Sequence, residues 1–391
     1  MRGSGRRVGP ARTIHIGHGG PVVTPAQPIT TFLCGDVMTG RGVDQILAHP
    51  GDPHLWEAYA TDARDYVALA ESANGPIARP VDDAWPWGEA LPALADHHPD
   101  VRLINLETSV TGHSDVAWGK QVHYRMAPDN IGCLTVARPD VCALANNHVL
   151  DFGQAGLVET LRTLSAAGLA VAGAGLDADQ ARRPAIVDVR PGHRVVVFAF
   201  GHESSGVPPQ WAASADRPGV DVLPDLSGDT ADAVAAQVAE VRRDGDFVIV
   251  SIHWGSNWGY HIPTEQISFA HRLIDHGVDL IHGHSSHHPR GIELYRDRLV
   301  LYGCGDFIDD YEGIHGYEEF RGDLRLLYFA ASDPGTGALL GLELVPMQAR
   351  QLRLHHASSA DAEHLAAMLT RASQGFGTRV ELADGLLRLA A

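Results

Sequence analysis

Apolar residues along this chain fall into short, nearly continuous runs, separated by longer stretches in which they recur every three or four positions. The runs are ITTFLC (29–34), VRLIN (101–105), DVCALA (140–145), LAVAGA (169–174), RVVVFAF (194–200), DFVIVSI (246–252), VDLI (278–281) and RLVLYG (298–303). Runs of this kind predict strands covered on both faces, although periodicity alone does not separate them from buried helical segments. The stretches between them decide. Residues 153–168 put Leu157, Thr160, Leu161 and Leu164 on one helical face and stop at Gly168, a residue suited to a left-handed cap. Residues 263–277 begin at Pro263, set Ile267, Ala270 and Ile274 on one face and stop at Gly277. Alternation of strand and helix predicts a layered α/β domain with helices covering the sheet.

Beyond Arg321 the pattern changes, and DLRLLYFAAS and ALLGLELVPM predict an antiparallel pair joined through the turn-rich DPGTGA. Residues 356–391 read as a helix and a short strand at the domain edge. Gly and Pro dominate residues 1–27, which predicts a flexible arm. The expected organisation is therefore an arm (1–27), a catalytic domain (28–345) and an extension packed on it (346–391).

Composition narrows the partners. With Lys plus Arg at 30 and Asp plus Glu at 48, the formal charge is −18, which disfavours nucleic acid and anionic membranes. The N-terminal stretch has four arginines and no apolar core, and no run of eighteen apolar residues occurs, so neither a secretion signal nor a membrane anchor is expected and the location reads as cytoplasmic. The oligomeric state is not legible. Cys34, Cys133, Cys142 and Cys304 show no CxxC spacing and read as buried free thiols.

Candidate chemistry gathers at the carboxyl ends of the runs, where ligands collect in open α/β sheets. Asp36 follows the first run, Glu107 the second, Asn147 and His148 the third, His253 the DFVIVSI run, and His282, His284, His287 and His288 the VDLI run; GCGD, ending at Asp306, follows RLVLYG. Carboxylates that neutralise cations, imidazoles that complete their coordination and one uncharged amide form the donor mixture of a hydrolytic metal centre. We therefore expect Asp36, Glu107, Asn147, His253, His284 and His287 as ligands, with Zn, Mn, Fe or Ca as the candidate divalent ions. His148, adjacent to a ligand, is placed instead as a general acid or base. Asp151 either orients that imidazole or caps the helix that begins near Gly153, and capping is the role expected first. Trp254, Trp258 and Tyr260 beside His253 read equally as a substrate wall or as packing.

GDVM (35–38), NLET (105–108), ANNHVLDFG (145–153), HWG (253–255), GHSSHHP (283–289) and YGCGDF (302–307) together resemble the CapA-like proteins of poly-γ-glutamate capsule synthesis. These look like a branch of the metallo-dependent phosphatase (calcineurin-like) superfamily. The resemblance runs from about residue 30 to 345 and implies a four-layer αββα sandwich with a dinuclear metal centre. By position, Asp36 would bind the first metal, Glu107 would bridge, and Asn147, His253 and a histidine of the 284–287 loop would bind the second, with His148 as the catalytic histidine. Met38 stands where the wider superfamily has a histidine ligand.

Three activities are compatible with this centre. Cα epimerisation of a residue in a ribosomal lasso-peptide precursor is the reading taken first, since the soluble CapA-like enzymes resemble such an epimerase. Metal-dependent hydrolysis of a phosphoester or amide is the second. The third is an accessory role in poly-γ-glutamate synthesis, with the site holding a carboxylate-bearing substrate.

Overall fold

The computed structural model describes residues 27–390; the arm expected over residues 1–27 lies, except for Gln27, outside the described residues. Two large mixed sheets organise the rest. At the centre of the ten-stranded sheet lies Ile29–Val37, followed on one side by the parallel strands Val101–Leu106, Val141–Ala143 and Ala170–Ala172. On its other side run the antiparallel strands Leu324–Ser332, Leu339–Arg350, Leu386–Leu389 and Val380–Ala383. Pairing with Leu324–Ser332 reaches Leu33, after which the short parallel strand Asp306–Ile308 takes over alongside Asp36 and Val37. The seven-stranded sheet runs Val222–Leu223, His193–His202, Asp246–His253, Leu280–His284, Arg298–Leu301 and Ile292–Tyr295, with Ala185–Arg190 antiparallel to His193–His202.

The apolar runs explain this arrangement by alternation. Val195, Val197 and Ala199 point into one large core shared with Phe32, Leu103 and Val141 of the first sheet. Val196, Phe198 and Phe200 point the other way, against Ala231, Val234 and Val238 of helix Gly228–Val241 and Phe269, Ala270 and Leu273 of helix Thr264–Asp275. Helices Ala90–His97, Gly153–Ala166 and Ser359–Ala372 add Leu94, Leu157, Leu164, Leu365 and Leu369 to the larger core.

Local departures have local causes. LAVAGA splits into two short strands at Gly173, whose φ is +85° and where a Cβ would lie 2.7 Å from the carbonyl oxygen of Ala199. VDLI starts its strand late, at Leu280, and continues to His284, so His282 and His284 lie within the strand and not beyond it. In the 264–275 helix Ile267 is only half-buried, and Gln266, Phe269, Ala270, Leu273 and Ile274 form the buried face. The C-terminal stretch forms two strands where one was expected: Asp384 (φ +52°) and Gly385 (φ +80°) turn a hairpin, and Leu386–Leu389 pairs with Leu339–Arg350 inside the main sheet. All four cysteines are free and buried.

Candidate metal centre

Two Gly-Asp dipeptides build the floor of the site. A Cβ at Gly35 would lie 1.7 Å from the carbonyl oxygen of Gly305, so only glycine lets these strands close. Gly305 itself has φ +80°. The Asp36 amide then donates to the Gly305 carbonyl at 3.0 Å, and Asp36 comes into register with Asp306 on one side and Asn105 on the other. Asn105 Nδ2 donates to Asp36 Oδ1 at 2.7 Å and to Glu107 Oε2 at 3.2 Å. Asn146 donates in turn to Asn105 Oδ1 at 3.0 Å and takes the His148 amide on its own Oδ1. Asp36, Glu107 and Asp306 are thus held together at no more than 3 % exposure. Burial, followed by the neighbouring Asp306, pushes the Asp36 carboxyl up to about 7, and burial together with Asp36 raises Glu107.

The imidazoles form a chain whose protons can be counted. His282 Nε2 lies 2.8 Å from the Cys34 carbonyl, which only accepts, so this nitrogen carries the hydrogen and Nδ1 is bare. Ser251 lies 3.1 Å from that bare Nδ1 and 2.8 Å from His284 Nε2; it donates to the first and accepts from the second. His284 Nδ1 is therefore also bare, and it faces His253 Nδ1 at 2.8 Å. Burial holds both His253 and His284 well below the usual imidazole range, so each has a single N–H. If the His253 hydrogen sits on Nε2, two ring lone pairs meet at 2.8 Å. If it sits on Nδ1, the bare Nε2 faces Asn147 Oδ1 at 3.0 Å and Glu107 Oε1 at 3.7 Å. With Asn147 Oδ1 turned toward the ring, acceptors oppose acceptors in both arrangements, fully buried in the first and half-buried in the second. A cation removes that conflict. Asp36, His253 and His284 each offer a ligand atom within 4.8 Å of the others.

Beside this group His148 is tied down through its back face. Its Nδ1 lies 2.6 Å from Asp151 Oδ2, its Nε2 is 3.8 Å from Glu107 Oε1, and the Tyr124 ring meets it edge-on at 4.5 Å. Asp151 also accepts from the Tyr124 amide at 2.7 Å and from Lys120 Nζ, which in addition holds the Asn147 carbonyl. Burial, reinforced by Lys120 and opposed by Asp151, pushes His148 down to about 4. The imidazole is thus neutral, with N–H toward Asp151 and a bare Nε2 toward the carboxylates. The expected capping role of Asp151 is corrected here: helix Gly153–Ala166 has Phe152 at its N-cap and no side-chain cap bond, because the carboxylate is fully used by His148, Lys120 and Tyr124.

The remaining candidates are distributed around this centre. His287 stands apart from the Asp36, His253 and His284 group: its Nδ1 lies 2.9 Å from Asp306 Oδ1 and its Nε2 3.0 Å from Asn257 Nδ2. His288 accepts from the Gly259 amide and donates to the Pro289 carbonyl, which leaves no nitrogen for a ligand. Trp254 is buried, bonds the Tyr302 carbonyl and packs on Phe269, so it belongs to the core. Trp258 stacks on Tyr317 at 4.0 Å and lies 5.1 Å from His287, and Tyr260 packs on His288. Met38 is buried, with its sulfur 3.8 Å from the Tyr311 hydroxyl. Lys120, Asn105 and Ser251 were not singled out from the sequence, and Asp306 was noted there without a role. The second GD offered a signal for Asp306; nothing in the pattern around Lys120 did.

A mixed α/β protein with acidic, amide and imidazole side chains converging at parallel strand ends, and with CapA-like motifs at those ends, is the class that the fold and the site define. Residues 30–311 match the family model described as "Bacterial capsule synthesis protein PGA_cap", and the chain belongs to that family. It is 55% identical to a probable polyglutamine synthesis accessory protein of Mycobacterium tuberculosis (strain H37Rv), over 90% of this chain and 93% of that protein. It is 26% identical to the PGA biosynthesis protein CapA of Bacillus subtilis (strain 168), over 79% of this chain and 69% of that one. The capsule biosynthesis protein CapA of Bacillus anthracis is 22% identical over 83% of this chain and 68% of its own length. These names concern capsule and polymer synthesis, which favours the accessory reading over the peptide epimerase expected first; that reading has no support among these relatives. No helix among the described residues is long and apolar enough to cross a membrane.

Proposed function

We propose that this protein is a metal-dependent accessory enzyme of polyglutamate synthesis that acts on the amide linkages of a carboxylate-bearing polymer. The observation that carries the reading is the opposition of bare acceptors among His253, His284 and Asn147, 2.8–3.0 Å apart beside the buried Asp36 and Glu107. The names of the relatives, which concern polyglutamine and PGA synthesis, support a polymer of this kind as the substrate. A four-layer αββα arrangement belongs to the same reading, supported by helices packed on the outer face of the second sheet and by those contributing to the larger core.

Asp36, Glu107, Asn147, His253 and His284 would hold the cation. When bound, a divalent ion supplies a Lewis acid for a carbonyl or phosphoryl oxygen. His148 presents a bare Nε2 on the same side as Glu107, so it takes a proton during the reaction and returns it, while Asp151 and Lys120 keep the ring in one tautomer. The chain's charge of −18 repels a polyanion, and bound cations reverse that field locally.

The test uses chelated protein reconstituted with Zn²⁺ or Mn²⁺ and incubated with poly-γ-glutamate of defined length, following chain length and new amines. Shortening that needs metal and disappears in H148A is the expected result. Phosphate release from a phosphoester panel without amine release would move the reading to a phosphoesterase, and failure to retain metal after reconstitution would end it.

A further inference from the structure

We propose that Tyr311 is a catalytic residue of this centre, its hydroxyl donating a hydrogen bond to the substrate oxygen that gains negative charge in the reaction. The inference rests on the reading above and adds to it the donor that His148, which presents a bare nitrogen, does not supply.

The hydroxyl hydrogens near the centre can be assigned. Tyr124 is fully buried, and its hydroxyl has Tyr311 as its one hydrogen-bond partner among the described residues, at 2.7 Å. If Tyr124 accepted, its own hydrogen would be buried without an acceptor, so Tyr124 donates and Tyr311 accepts. The Tyr311 hydrogen is left for the Met38 sulfur at 3.8 Å, and a thioether is a weak acceptor. Tyr311 is thus a donor without a strong partner, and turning to an incoming oxygen costs it little.

Its place suits that use. Met38 directly follows the strand that carries Asp36, and the half-buried Tyr311 ring meets His287 edge-on at 5.1 Å. The Tyr124 ring meets His148 edge-on at 4.5 Å, so the acceptor nitrogen and the donor hydroxyl are joined through one phenol side chain. Arg41 holds that phenol: its guanidinium lies 4.3 Å from the Tyr124 ring centre and 5.7 Å from that of Tyr311, fixed by Asp310 at 3.1 Å and Glu57 at 3.0 Å. To do so Arg41 takes φ +47°, a backbone conformation that side chains rarely adopt. A cation held against the ring polarises the phenol, and a hydroxyl that accepts one hydrogen bond donates the next more strongly.

In amide cleavage the water oxygen bonds to the carbonyl carbon, one water proton goes to His148 Nε2, and the carbonyl π pair moves onto the carbonyl oxygen. When the C–N bond breaks, that pair re-forms the carbonyl and the proton passes from His148 to the leaving nitrogen. Tyr311 keeps its hydrogen throughout.

Metal-loaded full-length protein is compared with Y311F, which keeps the ring, and with Y124F, which keeps the Tyr311 hydroxyl but removes the hydrogen bond it accepts. Y311F is expected to lower kcat on poly-γ-glutamate about 10²-fold with KM, metal content and melting temperature unchanged. It should also weaken inorganic phosphate, a tetrahedral oxyanion, about tenfold in calorimetric titration, and Y124F should show smaller losses in the same direction. Y311F that matches wild type in both measurements would overturn the inference, as would Y311F that loses metal or wild type that binds no phosphate. Phosphate bound through Tyr311 by a wild type that leaves the polymer intact would uphold the donor and end the amide-cleaving reading.

Discussion

Asp151 shows how much one side chain decides. Three residues after His148 it has the spacing of a cap, yet its two oxygens are spent on His148, Lys120 and the Tyr124 amide. The chain prints the Asp–His spacing but not the lysine that arrives from 31 residues upstream. Two predictions belong at this scale. H148A should lower metal-dependent turnover by about 10²–10⁴-fold with metal content unchanged; parallel loss of metal by mass spectrometry would make His148 a ligand. D151N should leave metal content intact and lower turnover as well, because the amide can turn its NH₂ toward Nδ1 and favour the wrong tautomer. Equal turnover in D151N and wild type would reduce Asp151 to a structural tie.

At the level of elements, the strand ends are positioned by glycine. Gly35 and Gly305 let Ile29–Val37 and Asp306–Ile308 close to 3.0 Å between the Asp36 amide and the Gly305 carbonyl. G35A would force a methyl group to 1.7 Å from that carbonyl. The strands must separate, so we expect G35A to lower the melting temperature by several degrees and to lose bound metal at the same time. A variant that melts like wild type and keeps its metal would show that the two strands need not touch. The elements themselves were readable because long apolar runs and glycine stops leave little choice of structure. The bounds of the shortest ones were not: Gly173 breaks LAVAGA through its positive φ, and the C-terminal hairpin joins the main sheet through pairing with a strand more than forty residues earlier.

For the molecule as a whole, the buried carboxylates are expected to make stability depend on metal and on pH. Asp36, Glu107 and Asp306 repel one another without a cation, so saturating metal should raise the melting temperature, by about 3 °C at a hundredfold excess over Kd. D36N should narrow the gap between stripped and loaded protein in differential scanning calorimetry; an unchanged gap would mean that the stabilising ion binds elsewhere. Asp221, which is not among the candidate ligands, gives a pH test. Burial pushes its carboxyl up to about 6, with Arg182 opposing. Its folded pKa lies above the unfolded value of about 3.9, so its contribution is complete below pH 4 and is lost as pH rises through 6. D221N should therefore melt like wild type at pH 4 and higher than wild type at pH 8; a constant difference across that range would assign the effect to packing instead.

The sequence by itself determined that this is an α/β protein with acidic, amide and imidazole residues at its strand ends, because strand periodicity and ligand chemistry are local properties of short segments. It also carried the motifs by which the family is recognised. Only the tertiary structure decided which of those residues meet. His253 and His284 are brought together by the parallel register of Asp246–His253 with Leu280–His284, while His287 goes to Asp306. Lys120 reaches Asp151 across a loop that has no period to read. Proton accounting likewise needs the whole chain of contacts from the Cys34 carbonyl to Asn147. Which lone pairs are left bare depends on neighbours that are distant in sequence and adjacent only in the fold.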